Sequence, residues 1–168
     1  MLIRSDTFEI RSIDQGKLND VLKVYHQCED FLALGPEPAA SLTMVTKDIE
    51  NSQKEGGIFC GVYNQRREMI GVVDFIPSGF GGDHHVAFFS LLMIAPSFRT
   101  QGLGTKIVDM IEKEIKKESS VNTICSAVQV NNIRGLRFWQ DNGYRVVGGP
   151  ELQPDRTTVF HLQKDLMT

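Results

Sequence analysis

The residues best placed to do chemistry lie between Leu92 and Thr105, in the run LMIAPSFRTQGLGT. An apolar stretch stops at Pro96, and Arg99, Gly102 and Gly104 lead into a helical pattern. The first N–H groups of a helix lack internal partners, and the helix dipole adds partial positive charge at that end. Glycine lets a ligand come close to the backbone. The run is therefore a candidate pyrophosphate site, with Arg99 able to add a charged hydrogen bond. A glycine-rich turn that merely shapes a helix start accounts for the two glycines equally well. The pattern G-x-x-x-x-G-K-[ST] is absent, and a Rossmann fingerprint would need a third glycine where Ile107 stands.

A second candidate is Asp74, set among Val72, Val73, Phe75 and Ile76 where a strand is expected. Carboxylates are uncommon in strands. Asp74 either faces solvent, as alternation allows, or is partly desolvated and so more basic than usual. Asp83-His84-His85 has no third ligand at a recognisable spacing, so no metal is expected. Cys28, Cys60 and Cys125 are odd in number and widely spaced, which fits buried thiols better than disulfides or zinc. There is no G-x-S-x-G elbow.

The elements that must hold these residues follow from periodicity. Phe8 and Ile10 alternate with polar neighbours, as in a half-buried first strand. Leu18, Val21, Leu22, Tyr25 and Cys28 recur at helical spacing. Gly35-Pro36 ends that region, and a second helix is expected from Ser41 with Leu42, Val45 and Ile49 on one face. Strands at 58–63 and 69–76 flank a polar turn and form a hairpin. The apolar run 86–94 predicts a central strand buried on both faces. A helix follows, its apolar face made by Leu103, Ile107, Val108, Ile111 and Ile115, with Asp109–Lys113 and Glu112–Lys116 at ion-pair spacing. A strand at 123–128, a short helix at 132–141 and a last hairpin around Gly148, Gly149 and Pro150 complete the chain. The prediction is a single α/β domain, α+β in some schemes, with a mixed, largely antiparallel sheet of about seven strands covered by about four helices.

Two segments together resemble the GNAT N-acetyltransferase superfamily. Leu92-x-Ile94-x-Pro96-x-x-Arg99-x-x-Gly102-x-Gly104 is similar to its acetyl-CoA motif, [RQ]-x-x-G-x-[GA]. Asn132-x-x-Gly135-x-x-Phe138-Trp139-x-x-x-Gly143-Tyr144 is similar to its later motif, N-x-x-[AG]-x-x-[FL]-[YW]-x-x-x-G-[FY]. The element order agrees over the whole chain. The resemblance implies that acetyl-CoA is the cosubstrate. The backbone of Leu92, Met93 and Ile94 would pair with pantetheine where the sheet splays. The N–H groups of Arg99, Thr100, Gln101, Gly102, Leu103 and Gly104, with Thr105, would hold the pyrophosphate, and Asn132 would bond the pantetheine arm. Many family members carry tyrosine where Trp139 stands, protonating the departing thiolate. Trp139 donates an N–H but is no ordinary acid, so packing beside Phe138 is at least as good an account of it. The family commonly lines its acceptor side with the first-helix region, so Asp30 ranks after Asp74 as a base, with Glu29 and His85 as further candidates. Homodimers are common in the family.

Composition bounds the function. The chain has 168 residues, 41% of them hydrophobic and 23% charged, with net charge -3. That balance suits one globular domain and argues against nucleic-acid binding, which calls for excess Lys and Arg. No apolar run approaches the roughly 20 residues of a membrane span, and the first residues do not read as a signal peptide, so a cytoplasmic protein is expected. Two functions stay open: acetyl transfer to a small-molecule or peptide amine, and a non-catalytic acyl-CoA-binding or sensor module.

Overall fold

The computed structural model describes residues 1–118 and 120–166. The chain runs through β1 (Leu2–Arg4), β2 (Phe8–Ser12), α1 (Leu18–Gln27), α2 (Glu29–Leu32), α3 (Leu42–Lys54), β3 (Ile58–Asn64), β4 (Met69–Ile76) and β5 (Val86–Ile94). It continues with α4 (Leu103–Ile115), β6 (Thr123–Gln129), α5 (Ile133–Asp141), β7 (Arg145–Leu152) and β8 (Thr158–Asp165). One eight-stranded sheet has the order β1-β2-β3-β4-β5-β6-β8-β7. Every neighbouring pair is antiparallel except β5 and β6. This is the expected mixed α/β architecture. The additional strand, β1, spans three residues, too few for a period-two pattern to register. The additional helix, α2, is a single turn that continues α1 past Cys28.

The sheet separates two cores. On one face α4 and α5 cover Phe75, Phe89, Ile124 and Leu162 with Ile107 and Ile111. On the other, α1 and α3 cover Phe59, Val72 and Met93 with Val21, Tyr25 and Val45. Ser41 caps α3 by accepting from the Met44 N–H at 3.1 Å, as its position before an apolar run suggests. Leu42, expected on the apolar face of α3, is the first residue of that helix and is exposed.

The last hairpin departs from expectation. Gly148, Gly149 and Pro150 lie inside β7, and the turn comes later, where the Gln153 N–H donates to Thr157 O at 2.7 Å. The glycines make bulges instead, with register shifts on both sides of Gly148. Gly149 has φ 92, and a Cβ there would stand 2.5 Å from Val159 O, so only glycine fits.

Glu112 also departs from its expected partner. Asp109 and Lys113 pair at 2.7 Å on the exposed face of α4. Glu112 instead turns inward, taking Lys164 Nζ at 2.8 and 3.0 Å and the Tyr144 hydroxyl at 2.9 Å. This clamp ties α4 to the β7–β8 half of the sheet. A buried carboxylate left without its cation is costly. Lys164→Met is expected to lower stability by about 2–4 kcal/mol, and adding Glu112→Gln to recover at least about half of the loss. Urea unfolding of both variants checks this; equal losses would mean that the charge pair is not what holds α4 there.

Candidate active site

The site begins with a bulge. Asp74 pairs with Leu91 and Phe75 with Phe89, so Ser90 is an extra residue in β5. Ala87 and Phe89 face α4 and α5 before it, and Leu92 and Ile94 do so after it. At the same point β5 and β6 part. They pair only from Val86 to Phe89, and at the last rung the Ser126 hydroxyl donates to Phe89 O at 3.1 Å. β5 is therefore central but not closed along its length. Ser90 is exposed, and Leu91, Leu92 and Ile94 are only half-buried, against the expected burial on both faces.

The divergence opens a cleft of about 790 Å³ whose walls include Leu92, Ile94, Ser126, Asn132, Phe138 and Trp139. The Ala95 N–H donates to Ile70 O on β4. Because successive residues of a strand direct their backbone groups to opposite sides, Met93 shares the β4 side with Ala95. Leu92 and Ile94 direct theirs toward the missing part of β6. Of the three strand residues expected to meet pantetheine, Leu92 offers its backbone N–H and C=O to the cleft and Ile94 its N–H, the Ile94 carbonyl being taken by Arg99.

At the end of β5 the chain makes a tight turn at Pro96–Phe98 and enters α4. No N–H from Thr100 to Thr105 finds an acceptor among the described residues. Gly102, the residue before α4, adopts φ 76 and has no side chain to cap the helix. By contrast, α3 and α5 are each capped by a side chain. The result is a run of unpaired donors at the positive end of a 13-residue helix. The two glycines do different work. A Cβ on Gly102 would meet nothing within 4 Å, so its backbone is open to a ligand. A Cβ on Gly104 would stand 3.0 Å from the Phe138 ring, so Gly104 lets α4 pack against α5. Thr100 lines the cleft with Arg99 and Gly104, while Gln101 and Thr105 are exposed beside it and Leu103 is half-buried.

The Arg99 side chain is committed elsewhere. Its Nε donates to Ile94 O at 2.7 Å, and its two terminal nitrogens meet the Asp30 carboxylate at 2.5 and 3.1 Å. Hydrogen bonding from Arg99 holds the Asp30 carboxyl below the usual carboxylate range. Asp30 thus lines the cleft as an anchored anion with little basicity. Cys28 joins the same cluster, its thiol donating to Ile94 O at 3.5 Å. Asn132 caps α5, accepting from the Gly135 N–H at 2.9 Å, so its amide nitrogen remains to donate.

Trp139 is 7% exposed and packs among Phe89, Phe138 and Tyr144, with ring centroids 4.9–5.3 Å away. Its indole N–H makes no hydrogen bond to a described residue and is not sealed from the cleft, which Trp139 lines. Tyr144 does not substitute as an acid. Its hydroxyl is spent on Glu112, and burial pushes its pKa far above the ordinary range.

Asp74 is not among the residues lining the cleft. It shares a face of β4 with Val72, beneath α1 and α3, and accepts from the Ser52 hydroxyl at 2.6 Å. Burial raises its pKa to about 6. Of the three residues singled out for chemistry, Asp30 and Trp139 share the cleft and Asp74 lies one strand away, opposite Leu91. His85 is exposed, its Nδ1 2.7 Å from Ser120 O. Glu29 accepts from the Ala40 N–H at 2.7 Å. Sequence reasoning missed Ser126 and Gln129; an isolated serine or glutamine in a strand pattern carries no signal until the neighbouring strand is known to leave.

These features match those of known proteins. The model of the acetyltransferase (GNAT) family matches residues 20–144. The chain belongs to the GNAT acetyltransferase family. Its fold is shared by several solved structures at low identity. One is an acetyltransferase from Salmonella typhimurium that modifies the N-terminal serine of a 50S ribosomal subunit protein, 16% identical, covering 99% of this chain and 100% of that one, with TM-score 0.79. Another is spermidine N-acetyltransferase from Vibrio cholerae with CoA and spermine, 15% identical over 96% of each chain, with TM-score 0.72. A third is AAC(6')-Ib with ribostamycin and coenzyme A, 18% identical, covering 96% and 94%, with TM-score 0.78. No described helix of this GNAT protein is long and apolar enough to cross a membrane, and no described group of three or more His, Cys, Asp or Glu could hold a metal.

The protonation of Asp74 has a consequence for stability. Its folded-state pKa, about 6, is above the unfolded value near 3.9. Its contribution is therefore fully present below about pH 4 and is lost as pH rises through about 6. Asp74→Asn keeps an acceptor for Ser52 without the charge. It is expected to match wild type near about pH 4 and to exceed it by about 1–2 kcal/mol near about pH 8, read from denaturant midpoints. A constant difference across that range would mean that Asp74 is not desolvated.

Proposed function

We propose that this GNAT protein transfers the acetyl group of acetyl-CoA to a primary amine, on a small molecule or a peptide, by direct attack in a ternary complex. The observation that carries this reading is the run of unpaired N–H groups from Thr100 to Thr105 at the mouth of the β5–β6 cleft. Donors so arranged suit a pyrophosphate. The free backbone groups of Leu92 and the free N–H of Ile94 suit the amides of a pantetheine arm, which replaces the missing part of β6 as an added strand. The Asn132 amide nitrogen donates to the same arm.

In this scheme N–H groups beside Ile94 stabilise the oxyanion that forms when the amine attacks the thioester. Holding both substrates in one cleft supplies much of the remaining acceleration. The thiolate leaves beside Trp139. A thiol pKa near 8.5 makes that anion tolerable, and an indole N–H can steady it by a hydrogen bond without giving up its proton. Arg99 and Asp30 hold the cofactor loop against α2 and position the site, with Asp30 bound too tightly to serve as a base.

Calorimetry tests the cofactor site. Gly102→Val is expected to weaken acetyl-CoA binding by at least about tenfold, since valine is strained at the φ of 76 that shapes the loop and its side chain occupies the open space above it. Gly104→Val is expected to lower Tm before any ligand is added, because it collides with Phe138. Unchanged affinity in the Gly102 variant would sink the pyrophosphate assignment. Release of free CoA thiol with a broad amine panel tests turnover. Binding without release from any amine would favour the non-catalytic acyl-CoA-binding module.

Trp139 separates packing from chemistry. With a working acceptor, Trp139→Phe is expected to keep turnover within a few-fold, while Trp139→Ala loses more turnover and about 3–5 kcal/mol of stability. A folded, acetyl-CoA-binding Phe variant without turnover would assign the indole N–H an essential role.

A further inference from the structure

We propose that the acceptor amine is the α-amino group of a peptide chain with uncharged side chains, and not a polyamine or an aminoglycoside. The proposal rests on the acyltransferase reading above and concerns the charge and proton inventory of the same cleft.

Helices α4 and α5 occupy one side of the sheet, with Leu92 and Ile94. A cosubstrate bound to the α4 loop and the Asn132 end of α5 leaves the opposite mouth for the acceptor. Phe31, Leu34, Leu91, Gln129, Thr157 and Val159 line that mouth. All are apolar or neutral. The half-buried Gln129 amide has no hydrogen-bond partner among the described residues, so it can meet a peptide group. Asn131 bridges the mouth, its Nδ2 donating to Leu34 O at 3.1 Å.

The titratable residues lining the cleft are Asp30, Arg99 and Arg134. Asp30, the one carboxylate among them, is already paired with Arg99. Acids on the flanking segments are also committed or face elsewhere. Glu29 accepts from the Ala40 N–H, and Asp155 takes the backbone N–H and hydroxyl of Thr157 at 2.9 and 2.6 Å. Glu151, opposite Val159 across β7 and β8, is paired with His161. A polycation entering this mouth would shed hydration from several ammonium groups, and among the described residues no free carboxylate lines the cleft to receive them.

The proton inventory points the same way. Only a neutral amine attacks. An alkyl ammonium has a pKa near 10.4 and an α-ammonium near 7.7–8.0, so at neutral pH the α-amino group offers roughly 300-fold more neutral amine. A cleft whose one carboxylate is tied to arginine suits the acceptor that needs no enzymic base. In the reaction the amine nitrogen forms a bond to the thioester carbonyl carbon and the C–S bond breaks. The new amide releases one proton to water, and the CoA thiolate takes one from solvent, giving the N-acetyl peptide and CoA thiol.

The test compares kcat/KM for CoA-thiol release, with product masses, across four acceptors. These are short uncharged peptides with a free N-terminus, N-blocked peptides carrying one lysine, spermidine, and ribostamycin. Free N-termini are expected to exceed the lysine peptide by at least about 100-fold, given the difference in neutral amine. They are expected to exceed spermidine and ribostamycin as well, because no free carboxylate among the described residues lines the cleft to receive their further charges. The rise of kcat/KM with pH is expected to follow the peptide's own amine, shifting when its first residue changes that amine's pKa. Equal or better use of spermidine, ribostamycin or the lysine peptide overturns the acceptor assignment and leaves the acyltransferase reading standing. Acetyl-CoA binding with no release from any acceptor overturns both.

Discussion

Everything about the site depends on β5 having one partner where a central strand normally has two. Backbone N–H and C=O groups inside a protein must be paired. Leu92 leaves both of its groups and Ile94 its N–H facing a cleft, while the same stretch keeps its ladder with β4 through Ala95. The strand is thus rigid on one side and unsatisfied on the other. A strand edge is usually a liability at the rim of a sheet. Here it lies in the middle, walled by α2, α5 and β8, where only a ligand narrow enough to enter can complete it. The Ser90 bulge supplies the local twist, and the Ser126 hydroxyl closes the last rung before the strands part.

The electrostatics of the cofactor loop follow from the backbone more than from side chains. Arg99 is the one cation in the loop, yet its guanidinium bonds Ile94 O and Asp30. Positive potential at the loop therefore comes from the uncapped start of α4. The ion pair does mechanical work, joining the loop after β5 to the helix segment after α1 across the mouth of the cleft. Phe138 against Gly104 joins α4 to α5 in the same way. Cofactor loop, acceptor wall and the Trp139 cluster are thereby fixed to one another while the chain between β5 and β6 stays open.

Much of the fold is legible in the sequence because its signals are local. The alternation of Phe8 and Ile10, the apolar face of α4 and the serine cap of α3 each depend on residues two to four positions apart. The end of β5 at Pro96 and the open start of α4 at Gly102 are legible for the same reason, and they located the loop proposed to hold the cofactor. The sequence alone therefore determined the order of most elements, the two motifs and the place of the glycine-rich turn before α4.

Partners distant in the chain were decided only by the tertiary structure. Arg99 finds Asp30 across 69 positions, and Glu112 leaves its expected i+4 partner for Lys164, 52 positions on. Asp74 could face either way by alternation; Val73 and Phe75 took the α4–α5 face, which put Asp74 with Val72 under α1 and α3, away from the cleft. Gly148 and Gly149 read as a turn, yet the register against β8 made them bulges within a longer strand. The reason is common to all four. Periodicity says which residues share a face, but register and strand departure set what that face meets, and both are settled between segments that never adjoin in sequence.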